Sequence, residues 1–272
     1  MRIVVFAALV ACAPDRPASS PVPADEQPHV TGIGSYEACA VQDAGPCTDE
    51  GVAHIDRLTA EQERALAERS GPRCKGGALP ACFDLGMLLI RGEHTPHDPA
   101  RAAALFARAC DGGLREACNS LGLLYDDGIG VARDRGRAID LYEKSCAAKN
   151  DVACLNLAAA LEASDSPRRD ARRAFGMFES LCASGMLAAC SNLAYMLASG
   201  RDVPADGPRA LALWERACNA GVALACNNLG HELEEGRIIA RDPGRALQMF
   251  KRACDGGDPL GCSNLRKREP AR

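Results

Sequence analysis

Fifteen cysteines in 272 residues are the side chains best equipped for chemistry in this sequence, because a thiol can attack, bind a metal or close a disulfide. Their order narrows the choice. After Cys12 they fall in pairs: Cys39 and Cys47, Cys74 and Cys82, Cys110 and Cys118, Cys146 and Cys154, Cys182 and Cys190, Cys218 and Cys226, Cys254 and Cys262. Seven residues separate the members of every pair, and from Cys74 onward the pairs recur every 36 residues, which leaves only Cys12 without a mate. A structural zinc site asks for ligands two to four residues apart or for histidines beside the thiols, and neither is present. No metal and no cofactor is therefore expected. So many thiols do not suit a reducing cytosol, and an oxidising compartment is implied. Two periodic pairings are open: a short one between cysteines eight apart, and a long one that joins Cys82 with Cys110 and so on along the chain.

Other reactive groups are sparse. Of the five histidines only His94 and His97 are close in sequence, in a loop where solvation is expected. A serine acylation centre of the Ser-x-x-Lys kind needs a lysine one helical turn after its nucleophile, and none of the five lysines stands three residues after a serine. Phosphate-binding and dinucleotide-binding glycine motifs are also missing. No catalytic residue is assigned.

The elements that carry the cysteines follow from the same alignment. Four residues before the first cysteine of a pair stands an aromatic: Phe106, Tyr142, Phe178, Trp214 and Phe250. An Arg-Ala pair begins nine residues ahead of that cysteine, at Arg101, Arg137, Arg173, Arg209 and Arg245. The alanine and the aromatic are i and i+4, so they share one helical face. Three residues after the second cysteine comes Leu85, Leu121, Leu157, Leu193, Leu229 or Leu265, usually followed by Gly or Ala where two helices must approach closely. Between the cysteines, Gly77, Gly113, Gly185, Gly221 and Gly257 mark a turn in the left-handed conformation, with Lys149 as the exception. Each unit therefore reads helix A, polar loop, helix B, tight turn. A helix pair cannot bury its apolar stripe alone, so the units must stack. Only four residues in a hundred are aromatic, which also fits an elongated all-α array better than a globular core.

The segments Ala-Cys-Asn-Asn-Leu-Gly at 225–230 and Arg-Ala-Leu-Ala-Leu-Trp-Glu-Arg-Ala-Cys at 209–218, with the strict Cys-x7-Cys period, resemble the cysteine-rich Sel-one-like repeat proteins of the Helicobacter cysteine-rich type, relatives of tetratricopeptide repeats. The resemblance covers roughly 71–265. It implies a right-handed α/α solenoid of about six to seven repeats, and it implies the short pairing of the cysteines. It also implies a protein-binding role for the concave face, where related repeats use asparagine to hold a peptide. Asn156, Asn192, Asn228 and Asn264 occupy the position two after the second cysteine. An amide has both donor and acceptor, so the first three are candidate peptide-binding residues, with bonding between neighbouring repeats as the alternative. Some members of the resembled family are assigned as penicillin-binding proteins with β-lactamase activity, so a hydrolase of that class is the second functional reading.

At the N-terminus, Arg2 precedes the apolar run 3–11 and then Cys12, a sequence that resembles a lipoprotein signal whose cysteine carries the acyl chains. Residues 1–11 are read as signal peptide, 12–35 as a proline-rich tether, 36–70 as an atypical capping repeat and 71–272 as the bridged array. The cap's Cys39 and Cys47 lack the aromatic and the leucine of the template. The formal charge of −4 gives no nucleic-acid footprint. The expectation is a monomeric, exported envelope lipoprotein at the outer membrane or cell surface, held to the membrane through lipid alone, with a protein or peptide partner in its concave groove. The carboxylates Asp126, Asp127, Glu162, Glu234 and Glu235, and the arginines Arg168, Arg169, Arg172 and Arg173 of one B helix, are expected to face solvent.

Overall fold

The computed structural model describes residues 58–268. Cys12, Cys39, Cys47, the expected signal peptide and tether, and most of the expected cap lie outside them. Among the described residues there are twelve helices and no strand: α1 (Ala60–Lys75), α2 (Leu79–Arg91), α3 (Pro99–Asp111), α4 (Arg115–Asp127), α5 (Arg135–Ala147), α6 (Asp151–Glu162), α7 (Ala171–Ala183), α8 (Leu187–Ser199), α9 (Gly207–Asn219), α10 (Ala223–Glu235), α11 (Pro243–Asp255) and α12 (Pro259–Arg268). From α2 onward, even-numbered helices are the A helices and odd-numbered helices the B helices of an α-helical repeat solenoid. Helix α1 runs unbroken through Ser70 and Gly71, where the sequence placed the junction between cap and array.

Each B helix starts by the same local chemistry. Asp98, Asp134, Asp170, Asp206 and Asp242 are N-caps whose carboxylates accept the backbone N–H of the arginine three residues on, at 2.9–3.0 Å. A cap of this kind stabilises a helix by about 1 kcal/mol. The following turn needs a residue with positive φ. Gly113 supplies it at 97°, and Lys149, in the equivalent turn, adopts 63° with a full side chain.

The described helices divide into two compact units, residues 58–160 with 166–168, and residues 161–165 with 169–268. In the first, the expected aromatic face is the core: Phe106 and Tyr142 are fully buried, and Phe83 lies 5.4 Å from Phe106 between ring centroids. Small residues on the A helices let those rings in. A Cβ on Gly122 would come within 2.6 Å of the Tyr142 ring, and one on Gly86 within 2.5 Å of Phe106. In the second unit Phe178, Trp214 and Phe250 are buried in the same way, and the Trp214 indole donates to the Ser191 carbonyl at 3.1 Å. Here Gly230 makes the corresponding approach to Phe250.

Candidate functional site

Among the described residues, six interhelical turns are closed by disulfides between cysteines eight apart: Cys74–Cys82, Cys110–Cys118, Cys146–Cys154, Cys182–Cys190, Cys218–Cys226 and Cys254–Cys262. Each joins the end of one odd-numbered helix to the first turn of the next even-numbered one, with Cα atoms 4.3–4.7 Å apart, at the short end of the separations that disulfides span. The turn that the glycine or Lys149 makes is what sets that separation. Cations from the neighbouring repeat reach the same helix ends. Lys144 Nζ donates to the Cys110 carbonyl at 2.9 Å, and Arg252 donates to the Cys218 carbonyl at 2.8 Å. Both place positive charge at the negative end of a helix dipole.

The candidate asparagines lie deep between A helices. Asn156, Asn192 and Asn228 are 1%, 3% and 7% exposed. In the first unit the Asn156 amide donates to Asn119 Oδ1 at 2.8 Å, and in the second the Asn264 amide donates to Asn227 Oδ1 at 2.9 Å. Both are bonds between adjacent repeats, and among the three candidates it is Asn156 that makes one. The acceptors Asn119 and Asn227 escaped the sequence reading, although the doubled asparagine after Cys226 was there to suggest that one amide serves the other. The N-cap aspartates were legible too, as an Asp three residues ahead of every Arg-Ala pair.

The acidic ends of the A helices are paired with arginine rather than simply solvated. Asp126 meets Arg135 at 2.7 Å, Glu235 meets Arg237 at 2.9 Å, and Glu234 pairs with Arg268; Glu162, contrary to the expected solvent-facing position, is buried at the end of α6 and lies 3.5 Å from Arg201. Arg168 and Arg169 sit in the loop before the Asp170 cap, not in a B helix, because that cap fixes the start of α7. Arg168 bridges Asp140 and Glu143, and Arg169 pairs with Asp202, which holds that carboxyl below its usual range.

His231 is a part-exposed ionisable ring packed into this framework. It meets the Phe250 ring edge-on with centroids 5.2 Å apart, and its Nε2 lies 3.0 Å from the Asn264 amide nitrogen. Burial, and then the Arg268 charge, hold its pKa below the ordinary value. Tyr142 is a fully buried titratable ring, its pKa pushed well above the phenol range by burial and by Asp126. Among the described residues, no helix is long and apolar enough to cross a membrane.

Five consecutive segments, 79–114, 115–150, 151–186, 187–222 and 223–258, match the Sel1 repeat. No curated protein sequence matches the chain. Among solved structures, a Sel1 repeat protein from Oxalobacter formigenes is similar at 18% identity and a TM-score of 0.60, over 74% of this chain and 86% of that one. The protective antigen c5321 of uropathogenic Escherichia coli, which displays an SLR fold, is similar at 20% identity and a TM-score of 0.58. That match covers 76% of this chain but 48% of the antigen, so the chain spans about half of its length. Cysteine rich protein B of Helicobacter pylori is similar at 22% identity over 49% of this chain and 96% of that one, with a TM-score of 0.38.

Proposed function

The chain belongs to the Sel1 repeat family, and from that footing we propose that it is an exported scaffold that holds a protein or peptide partner on the face lined by its A helices. Sel1 repeat arrays are in general protein-interaction scaffolds, and six disulfides suit an oxidising compartment outside the cytosol. Cys12 as a lipid anchor, and a location in the envelope, complete the proposal.

One observation carries the partner-binding reading. The residue five after the second cysteine is Met87, Leu123, Ala159, Tyr195, His231 and Lys267 in successive repeats, while the leucine two positions earlier never changes. Packing holds a position constant from repeat to repeat; a position on the A helix that differs every time is free to be shaped by a partner. Met87, Tyr195 and His231 are part-exposed and Lys267 is exposed, while Leu123 and Ala159 are buried, so the accessible stretch of this position lies at Met87 and from Tyr195 onward. Asn119, Asn156, Asn227 and Asn264 then act as the frame that keeps these A helices in register.

The test is an affinity capture from native envelopes with oxidised protein as bait, followed by a titration of the captured protein. Met87→Ala and Tyr195→Ala should each weaken that titration with the fold retained by circular dichroism. The same preparations should be offered a chromogenic cephalosporin. Steady turnover, with partner binding unaffected by either substitution, would move the assignment to the hydrolase.

A further inference from the structure

Glu63 is a carboxylate placed in a core. Its side chain is 1% exposed, on the face of α1 whose Leu66 packs against Leu88. Neither of its oxygens accepts a hydrogen bond from the described residues. Its nearest cation is Arg91, 3.4 Å away, and the same guanidinium nitrogen is 2.7 Å from Glu93. Burying an ionised carboxylate is costly unless charge and hydrogen bonds surround it, and a single shared guanidinium at that distance leaves Glu63 undercompensated.

The loop after α2 supplies what is missing. Gly92 ends the helix at a φ of 63°, and the exposed residues that follow, Glu93 and His94, bring one carboxylate oxygen and one ring nitrogen to within 4.8 Å of Glu63 and of each other. We propose that Glu63, Glu93 and His94 form a binding site for a divalent transition cation of the zinc class. Imidazole with carboxylates is a donor set for such ions rather than for calcium or magnesium. With Arg91 counted, the cluster carries one net negative charge, so a dication is drawn to it. Glu93 and His94 are exposed side chains on a loop and can close on the metal; Glu63 is fixed and forms the floor. Three protein ligands leave a position for water. The bound ion would tie the α2–α3 loop to α1, at the helix that opens the described array.

The site is tested on full-length oxidised protein, stripped with a chelator and titrated with zinc chloride by calorimetry, with thermal unfolding followed in parallel. One saturable site and a metal-dependent rise in Tm are expected. His94→Ala removes an exposed ligand without touching the core and should weaken binding at least tenfold. Glu63→Gln should do the same while folding normally by circular dichroism, and His97→Ala should bind like the parent. Absence of stoichiometric binding would overturn the proposal, as would unchanged affinity in His94→Ala.

Discussion

The side chain of Asn156 donates to that of Asn119 at 2.8 Å across the boundary between two repeats, and both amides are buried. Removing one partner strands the other in a site that water does not reach. Asn156→Ala should therefore lower unfolding stability by about 1–3 kcal/mol. Denaturant titration of Asn156→Ala, Asn119→Ala and the double variant checks this. The double variant should lose less than the sum of the two singles, and strict additivity would show that the bond contributes nothing.

Lys149 occupies a left-handed turn in which five other repeats use glycine. Lys149→Gly should stabilise the protein, by about 0.5–1 kcal/mol, since it removes the Cβ strain of that conformation at a solvent-facing site. Gly122→Ala should do the reverse, because the added methyl meets the Tyr142 ring at 2.6 Å. Thermal melts of the two variants should move in opposite directions.

The Tyr142 hydroxyl is buried with no hydrogen-bond partner among the described residues, where three equivalent positions carry phenylalanine. Tyr142→Phe should be neutral or stabilising, by up to about 1 kcal/mol, since it deletes a desolvated polar group and little volume. A loss of more than that in chemical denaturation would mean that the hydroxyl has a partner in solution.

Stability should fall on mild acidification through His231. Its folded pKa is held below the ordinary 6.5 by burial and by Arg268, so the unfolded chain takes up the proton first. The contribution is complete above pH 6.5 and is lost as pH drops through the folded value. Protonation also removes the lone pair that accepts from Asn264. His231→Gln should flatten the stability profile between about pH 7 and pH 5; a profile identical to the parent's would show that the ring does not titrate differently on folding. Glu234, lowered from 4.5 by its bond to Arg268, acts in a separate and more acidic window.

Peptide mapping of the unreduced protein should recover Cys110 linked to Cys118, and likewise for the other five bridges. By the chain-entropy estimate each small loop contributes about 2–3 kcal/mol. Reduction should therefore lower Tm steeply. A linked Cys82–Cys110 peptide would contradict the structure.

Much of this fold was legible because a 36-residue period lets one unit be read six times over. The aromatic face, the small residues opposite it and the turn glycines with Lys149 as their exception all follow from helical spacing. The asparagines were harder. Their chemistry suits a peptide or another asparagine equally well, and only the distance between neighbouring A helices decides, a quantity that one repeat's sequence does not contain. The Glu63 cluster was hidden for the same reason: Glu63 and His94 are 31 residues apart and meet only through the packing of α1 on α2. Arg168 and Arg169 fall outside the expected helix because Asp170, set within a run of arginines that suits a helix, takes the N-cap of α7.

The spacing of the bridges also bears on how such a chain reaches its native state. Entering an oxidising compartment as an unfolded thread, each second cysteine finds its native partner eight residues behind it, whereas the nearest non-native thiol from the adjoining pair is 28 residues away. Loop closure scaling as (3/2)RT ln n favours the nearer partner by about 1 kcal/mol, roughly sixfold in rate, before any helix has packed. Correct pairing is thus biased by polymer statistics alone, repeat after repeat, and a chain rich in thiols can oxidise in register with its own delivery while placing little demand on an isomerase.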